Sequence, residues 1–284
     1  MDRIARGQRS RGSAGGSSRP VDIGSAVDTT IDAPVRVCLL GGFRLLRGAE
    51  CLPVRPDGRL ESLLIALAIH GQAGLPRDEL LLAVWPGAEE RLAGQALNTL
   101  VHSLRINVAE AIGGQPPVVH QGGRYRLNRS AGVITDVELF DTIVDQGDRA
   151  LRRNDESTAL RAYAAAVSTY EGDLVPGSNI QQLLEAERLR ARFLTALSHL
   201  AMLELRYGDA DSALHTARAA LRHDPYNEEA HRIAMRAYVR LGQRTQAFRQ
   251  FELCRSLLAR EFEAGPEAST EELYRLIRST PELV

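Results

Sequence analysis

The chain has 284 residues, 44% of them apolar and 25% charged, enough to bury a sizeable core and too much for disorder of the whole. All 35 basic residues are arginine, and the absence of lysine excludes a P-loop lysine, a Schiff-base lysine and a kinase-type phosphate lysine together. The three cysteines, Cys38, Cys51 and Cys254, form no Cys-x-x-Cys pair, so neither a disulfide framework nor a cysteine-rich zinc site is expected, and a reducing compartment is.

Residues 1 to 34 are dense in Gly, Ser and Arg. They carry too few apolar groups to offset the entropy of ordering, which predicts a disordered tail, and they lack the apolar core of a secretory signal. No later apolar run reaches the roughly 18 to 20 residues of a membrane helix, so no membrane partner is expected. Charge divides what remains. Residues 35 to 132 hold eleven arginines against eight acids, and residues 133 to 284 hold nineteen against 24; a mildly basic front domain precedes an acidic back domain.

In the front domain, Val35, Val37 and Leu39 alternate, Phe43 and Leu45 continue, and a turn at Arg47-Gly48-Ala49-Glu50 leads to a short run from Cys51 to Val54. The pattern predicts a small antiparallel sheet. Leu60, Leu63, Leu64 and Leu67 then repeat at helical spacing, and Pro76 in a first turn opens a second helix ended by Pro86-Gly87. A third helix is predicted over residues 89 to 112, stopped by Gly113-Gly114. Val118 to His120 and Tyr125 to Leu127 flank Gly122-Gly123, a hairpin signal. Strands, three helices and a terminal hairpin are the order of a winged helix-turn-helix.

From Asp136 onward the chain reads as helix, and it repeats. Gly208, Ala213, Leu214, Ala217 and Ala220 recur 34 residues later as Gly242, Ala247, Phe248, Phe251 and Cys254, the period of tetratricopeptide helix pairs. Asp155, Ala159, Leu160, Tyr163 and Ala166 form an earlier copy, 54 residues before the first. The extra 20 residues are expected as a loop around residues 171 to 181. The fold class is therefore mostly α with small β: a winged helix followed by an all-α, tetratricopeptide-like repeat domain.

On a helical wheel, Leu97, Leu100, Val101, Leu104, Val108 and Ile112 form one apolar face of the third helix. Arg91, Gln95, Asn98, His102 and Arg105 form a separate polar row with no acid in it. Gln and Asn pair bidentately with adenine, Arg pairs with guanine, and His donates to a base edge or a phosphate, so this row suits the major groove. Arg124, Arg126 and Arg129 beside Gly122-Gly123 place guanidinium groups where a wing meets phosphate or minor groove.

The run Ala96-Leu97-Asn98-Thr99-Leu100-Val101-His102-Ser103-Leu104-Arg105, followed by Val118-Val119-His120 and Tyr125-Arg126-Leu127, resembles the OmpR-like winged helix of the SARP family of bacterial antibiotic regulatory activators. The second half is similar to that family's bacterial transcriptional activator domain, through Asp136-Val137-Glu138-Leu139-Phe140, Tyr170-Glu171-Gly172-Asp173-Leu174, Glu187-Arg188-Leu189-Arg190 and the run from Asp224-Pro225 to Met235. Gly242 to Cys254 and Gly265-Pro266 complete it, and the similarity covers about residues 36 to 278.

The resemblance implies an activator that binds tandem promoter repeats as two self-associating protomers, recruits RNA polymerase holoenzyme to a biosynthetic gene cluster, and works in the cytoplasm on the nucleoid. It adds Thr99 to the reading row and Tyr125 to the wing. It also implies Trp85, Pro86 and Gly87 as a polymerase contact, beside the simpler role of a helix stop with a core tryptophan. Two departures stand out: Gly94 lies where such helices often carry arginine, and Leu75-Pro76 replaces a Ser or Thr cap.

Two other classes compete. Enzyme function is not expected: there is no Gly-x-Ser-x-Gly elbow, no His-Glu-x-x-His and no glycine-rich phosphate loop with its lysine. His215, His223 and His231 recur at eight-residue intervals, poor ligand spacing on one helix face, so no cofactor or metal is implied. The alternative is a helical-repeat interaction module whose winged helix binds protein. The polar row argues against it, because protein interfaces centre on aromatic and aliphatic anchors.

Overall fold

The computed structural model describes residues 34–54, 58–174 and 180–284, so the expected tail lies outside the described residues except for Pro34. Strands β1 (Val35–Cys38), β2 (Arg44–Arg47) and β3 (Glu50–Leu52) pair antiparallel in succession, as the alternation and the turn predict. Helix α1 (Arg59–His70) buries Leu63, Leu64 and Leu67. Strand β4 (Leu75–Pro76) leads directly into α2 (Arg77–Val84), so Pro76 sits just outside the helix and not within its first turn.

Helix α3 (Glu90–Val108) stops one turn before residue 112. The Gly114 N–H closes back on the Ala109 carbonyl at 2.8 Å, with Gly113 and Gly114 at φ 57° and 73°. This glycine closure ends the helix early while folding Ile112 under it, still buried. Strands β5 (Val118–Gln121) and β6 (Arg124–Leu127) form the expected hairpin, and β4 joins it along β6. These elements make a winged helix.

The front sheet has one more strand than the local pattern predicts. β7 (Val133–Thr135), beyond the boundary expected at 132/133, pairs parallel with β1. A capping box comes next: the Thr135 hydroxyl accepts from the Glu138 N–H and the Glu138 carboxylate accepts from the Thr135 N–H. It starts α4 (Asp136–Arg152), whose first residue turns its carboxylate onto the Leu39 and Leu40 N–H groups of the front sheet. One apolar core runs from β1 through α3 and α4 into the helical half.

Helices α5 (Glu156–Thr169), α6 (Ile180–Arg206), α7 (Ala210–His223), α8 (Glu228–Arg240), α9 (Arg244–Phe262) and α10 (Ala268–Ser279) complete the chain. Each of α4 to α9 packs on its neighbour in sequence, and α10 packs on α8 and α9. The repeat is real at the level of the backbone. Asn154, Gly208 and Gly242, each opening a copy, have φ of 58°, 83° and 71°, and Ala159, Ala213 and Ala247 are each fully buried where paired helices approach. Asp155 and Asp209 cap α5 and α7 through the Thr158 and Ser212 N–H groups.

Of the loop expected around residues 171 to 181, residues 171–174 are non-helical, residues 175–179 lie outside the described residues, and helix begins at Ile180. Ile180 and Gln181 are helical, and α6 has 27 residues against 13 in α8. The first turns of α6 hold Gln, Leu, Glu, Ala and Arg with no Gly or Pro, and such a sequence extends a helix.

Candidate nucleic-acid interface

Helix α3 buries Ala93, Gly94, Leu97, Leu104 and Val108. The rest of its surface leaves Arg91, Gln95, Asn98, Thr99, His102 and Arg105 exposed, with Gly94 at the edge beside Asn98 and Arg105. Leu92 and Ile106 are exposed as well, and nothing among the described residues covers them. The Gln95 and Asn98 amides and the His102 ring make no hydrogen bond among the described residues, so their donors and acceptors face outward unpaired. Arg91 has a weak exposed pairing with Glu89 at 3.4 Å, and the Thr99 hydroxyl donates to the Gln95 carbonyl at 3.1 Å. Arg105 donates through Nη2 to the Gly114 carbonyl at 3.0 Å, which steadies the turn after α3 and leaves other N–H groups of the same guanidinium available.

The wing is built differently from a row of free arginines. Gly122 and Gly123 form its tip at φ 60° and 76°. Arg124 donates through Nε to the Ala73 carbonyl at 2.8 Å and through Nη2 to the Gly74 carbonyl at 3.0 Å. Its guanidinium therefore ties the hairpin to the turn after α1, with Nη1 to spare. Arg126 is half-buried and reaches the Gln121 carbonyl at 3.4 Å. Arg129 does not join the tip; it pairs with Glu138 of α4 at 3.4 Å, because it lies past the end of β6, at the junction with the helical half. Tyr125 stacks on His120 at 4.5 Å between ring centroids.

Trp85 caps α2, its N–H on the Leu81 carbonyl at 2.7 Å, and packs half-buried against the front core. Pro86 and Gly87 are exposed beyond it. The three spaced histidines do not converge. His223 meets Phe193 edge-on, and His231 is buried between the Pro225 carbonyl and the Gln250 amide; its pKa is lowered, chiefly by burial.

Three residues that no local spacing singles out lie against this surface. Arg47 reaches the Asn107 carbonyl at the end of α3 at 3.1 Å, His120 supplies the ring under Tyr125, and Arg77 touches both α3 and the wing. Proximity of Arg77 to the hairpin could be inferred only from a pairing of Pro76 with Arg124, which no local spacing encodes.

A winged helix with an exposed polar row on its third helix, joined through a shared core to stacked helix pairs, defines the class. Residues 135–278 match the bacterial transcriptional activator domain, and the chain belongs to that family. Regulatory protein AfsR of Streptomyces griseus is 27% identical over 266 residues, covering 91% of this chain and 26% of AfsR. Regulatory protein DnrI of Streptomyces peucetius is 25% identical over 249 residues, covering 82% of this chain and 88% of DnrI. The chain thus spans about a quarter of AfsR and most of DnrI. The structure of Mycobacterium tuberculosis EmbR in complex with a low affinity phosphopeptide superposes with a TM-score of 0.68 at 19% identity, covering 86% of this chain and 65% of EmbR. The resemblance to the SARP family and the two-part fold expected from the sequence are borne out by these matches.

Proposed function

We propose that this protein is a sequence-specific DNA-binding activator of transcription, with α3 in the major groove and the β5–β6 wing on the flanking backbone. The observation that supports it best is the exposed row Arg91, Gln95, Asn98, Thr99, His102 and Arg105 on a helix whose other face is anchored in the winged-helix core. Unpaired Gln and Asn amides offer the paired donor and acceptor that adenine presents, and Arg offers the fork that guanine accepts. Arg124, Tyr125 and Arg126 hold the backbone and set the register.

The resemblance to the SARP family implies a target among the promoters of a secondary-metabolite gene cluster, with two protomers on direct repeats, and the similarity to two regulatory proteins, AfsR and DnrI, supports a regulatory role. Pro86 and Gly87, exposed beyond the core-packed Trp85, are the surface assigned to RNA polymerase holoenzyme, and the helical repeats add contacts to it or to the neighbouring protomer. The protein acts in the cytoplasm on nucleoid DNA; among the described residues no helix is long and apolar enough to cross a membrane.

The test is selection of duplexes from a random pool by the full chain, followed by gel shift at fixed salt. Enrichment of a defined sequence, with preference reduced by Asn98→Ala, is the expected result. Failure to enrich any sequence refutes the reading and leaves the winged helix as a protein-binding surface.

A further inference from the structure

Gly94 lies inside α3, where a glycine weakens a helix relative to alanine. The space its missing side chain leaves is filled. The Arg77 guanidinium from the first turn of α2 lies against Gly94, and a Cβ there would collide with Nη2. The same guanidinium donates through Nη1 to the Tyr125 hydroxyl of the wing at 3.3 Å. Arg77 therefore bridges the seam between α3 and the wing.

Its chemistry is that of an uncommitted cation. Arg77 is exposed, its one hydrogen bond among the described residues goes to a neutral phenol, and no carboxylate pairs with it there. Four of its five N–H donors remain, in the planar fork that matches a phosphate. Position agrees with chemistry: Gly94 precedes Asn98 by four residues and Arg105 by eleven, so it shares their edge of α3. A group resting on Gly94 stands beside the base-reading row, on the side toward the wing.

We propose that Arg77 contacts a DNA phosphate between the stretch read by α3 and the stretch held by the wing, and that Gly94 is glycine because the guanidinium needs its surface. This rests on the DNA-binding reading above. It adds a backbone contact supplied by neither the reading helix nor the hairpin.

The experiment uses the full chain, a duplex selected by it, a scrambled duplex of equal composition, and salt titrations monitored by fluorescence anisotropy. Arg77→Ala should weaken both duplexes by the same several-fold factor and lower the slope of log K against log salt by about one. Gly94→Ala should raise the melting temperature while lowering that slope, because the methyl group favours helix and displaces the guanidinium. Arg77→Ala combined with Gly94→Arg should restore the slope, since an arginine chain starting at Gly94 reaches the same volume. An unchanged slope in Arg77→Ala, with Asn98→Ala still reducing sequence preference, overturns the role of Arg77 and leaves the interface standing. A lower melting temperature in Arg77→Ala without a slope change assigns Arg77 to wing packing alone and overturns it too. Absence of wild-type binding to any duplex removes the interface and this contact together.

Discussion

Asp136, the first residue of α4, accepts the Leu40 backbone N–H at 2.9 Å across 96 residues of chain, and its two oxygens share the Leu39 N–H at the same distance. Asp136 is 4% exposed. It satisfies two N–H groups just past the end of β1, and in doing so locks the helical half onto the front sheet beside the β1–β7 pairing. Burial raises its pKa from 3.8 to about 6, outweighing the backbone N–H groups of Leu40, Leu39 and Val137 that lower it.

That raised pKa has a defined sign. Between 3.8 and about 6 the folded protein holds a proton that the unfolded chain lacks, so this residue's contribution to stability is complete below the lower value and is lost as pH rises through the upper one. Asp136→Asn does not titrate. The urea midpoint of the wild type relative to Asp136→Asn should therefore be higher at pH 5 than at pH 7, and an equal difference at both pH values contradicts the assignment.

Reading and holding should separate by mutation. Asn98→Ala or Gln95→Ala is expected to cost about 1 to 3 kcal/mol on the selected duplex and little on scrambled DNA. Arg124→Ala should weaken both duplexes alike, and it should also lower the melting temperature, because it removes the tie to the Ala73 and Gly74 carbonyls. Equal proportional losses for Asn98→Ala on both duplexes would contradict the reading role.

Gly147 shows how packing reverses a local preference. It lies within α4, where alanine by itself favours helix by about 1 kcal/mol. A Cβ there meets the Tyr163 ring at 2.8 to 3.0 Å, and that ring is held by the Tyr163 hydroxyl on Asp148 at 2.6 Å. Gly147→Ala should accordingly destabilise the protein by about 1 to 3 kcal/mol in urea unfolding. A rise in stability would mean that the ring moves freely.

Truncation should expose the dependence of the front domain on the first helices of the repeat half. A fragment ending at Gly132 lacks β7 and Asp136, so the amides of β1 and of the adjoining Leu39 and Leu40 lose partners. Their hydrogen exchange should be faster than in a fragment ending at Tyr170, which keeps α4 and α5. Equal protection in both fragments would show that the front sheet is complete without β7.

The sequence by itself determined whatever repeats at short range. The polar row of α3 comes from spacings of three and four residues, the wing from Gly122-Gly123 between alternating runs, and the helical pairs from a 34-residue period. Each depends on neighbours along the chain, so periodicity carries it. The tertiary structure alone decided that β7 completes the front sheet, that Asp136 reaches Leu39 and Leu40, and that Arg77 lies on Gly94. It also decided which arginines of the wing stay available, drawing Arg124 to the Ala73 and Gly74 carbonyls and Arg129 to Glu138. A guanidinium has the same chemistry in either setting; its use is set by which carbonyl or carboxylate the packed core brings within about 3 Å, and that proximity leaves no trace in local spacing.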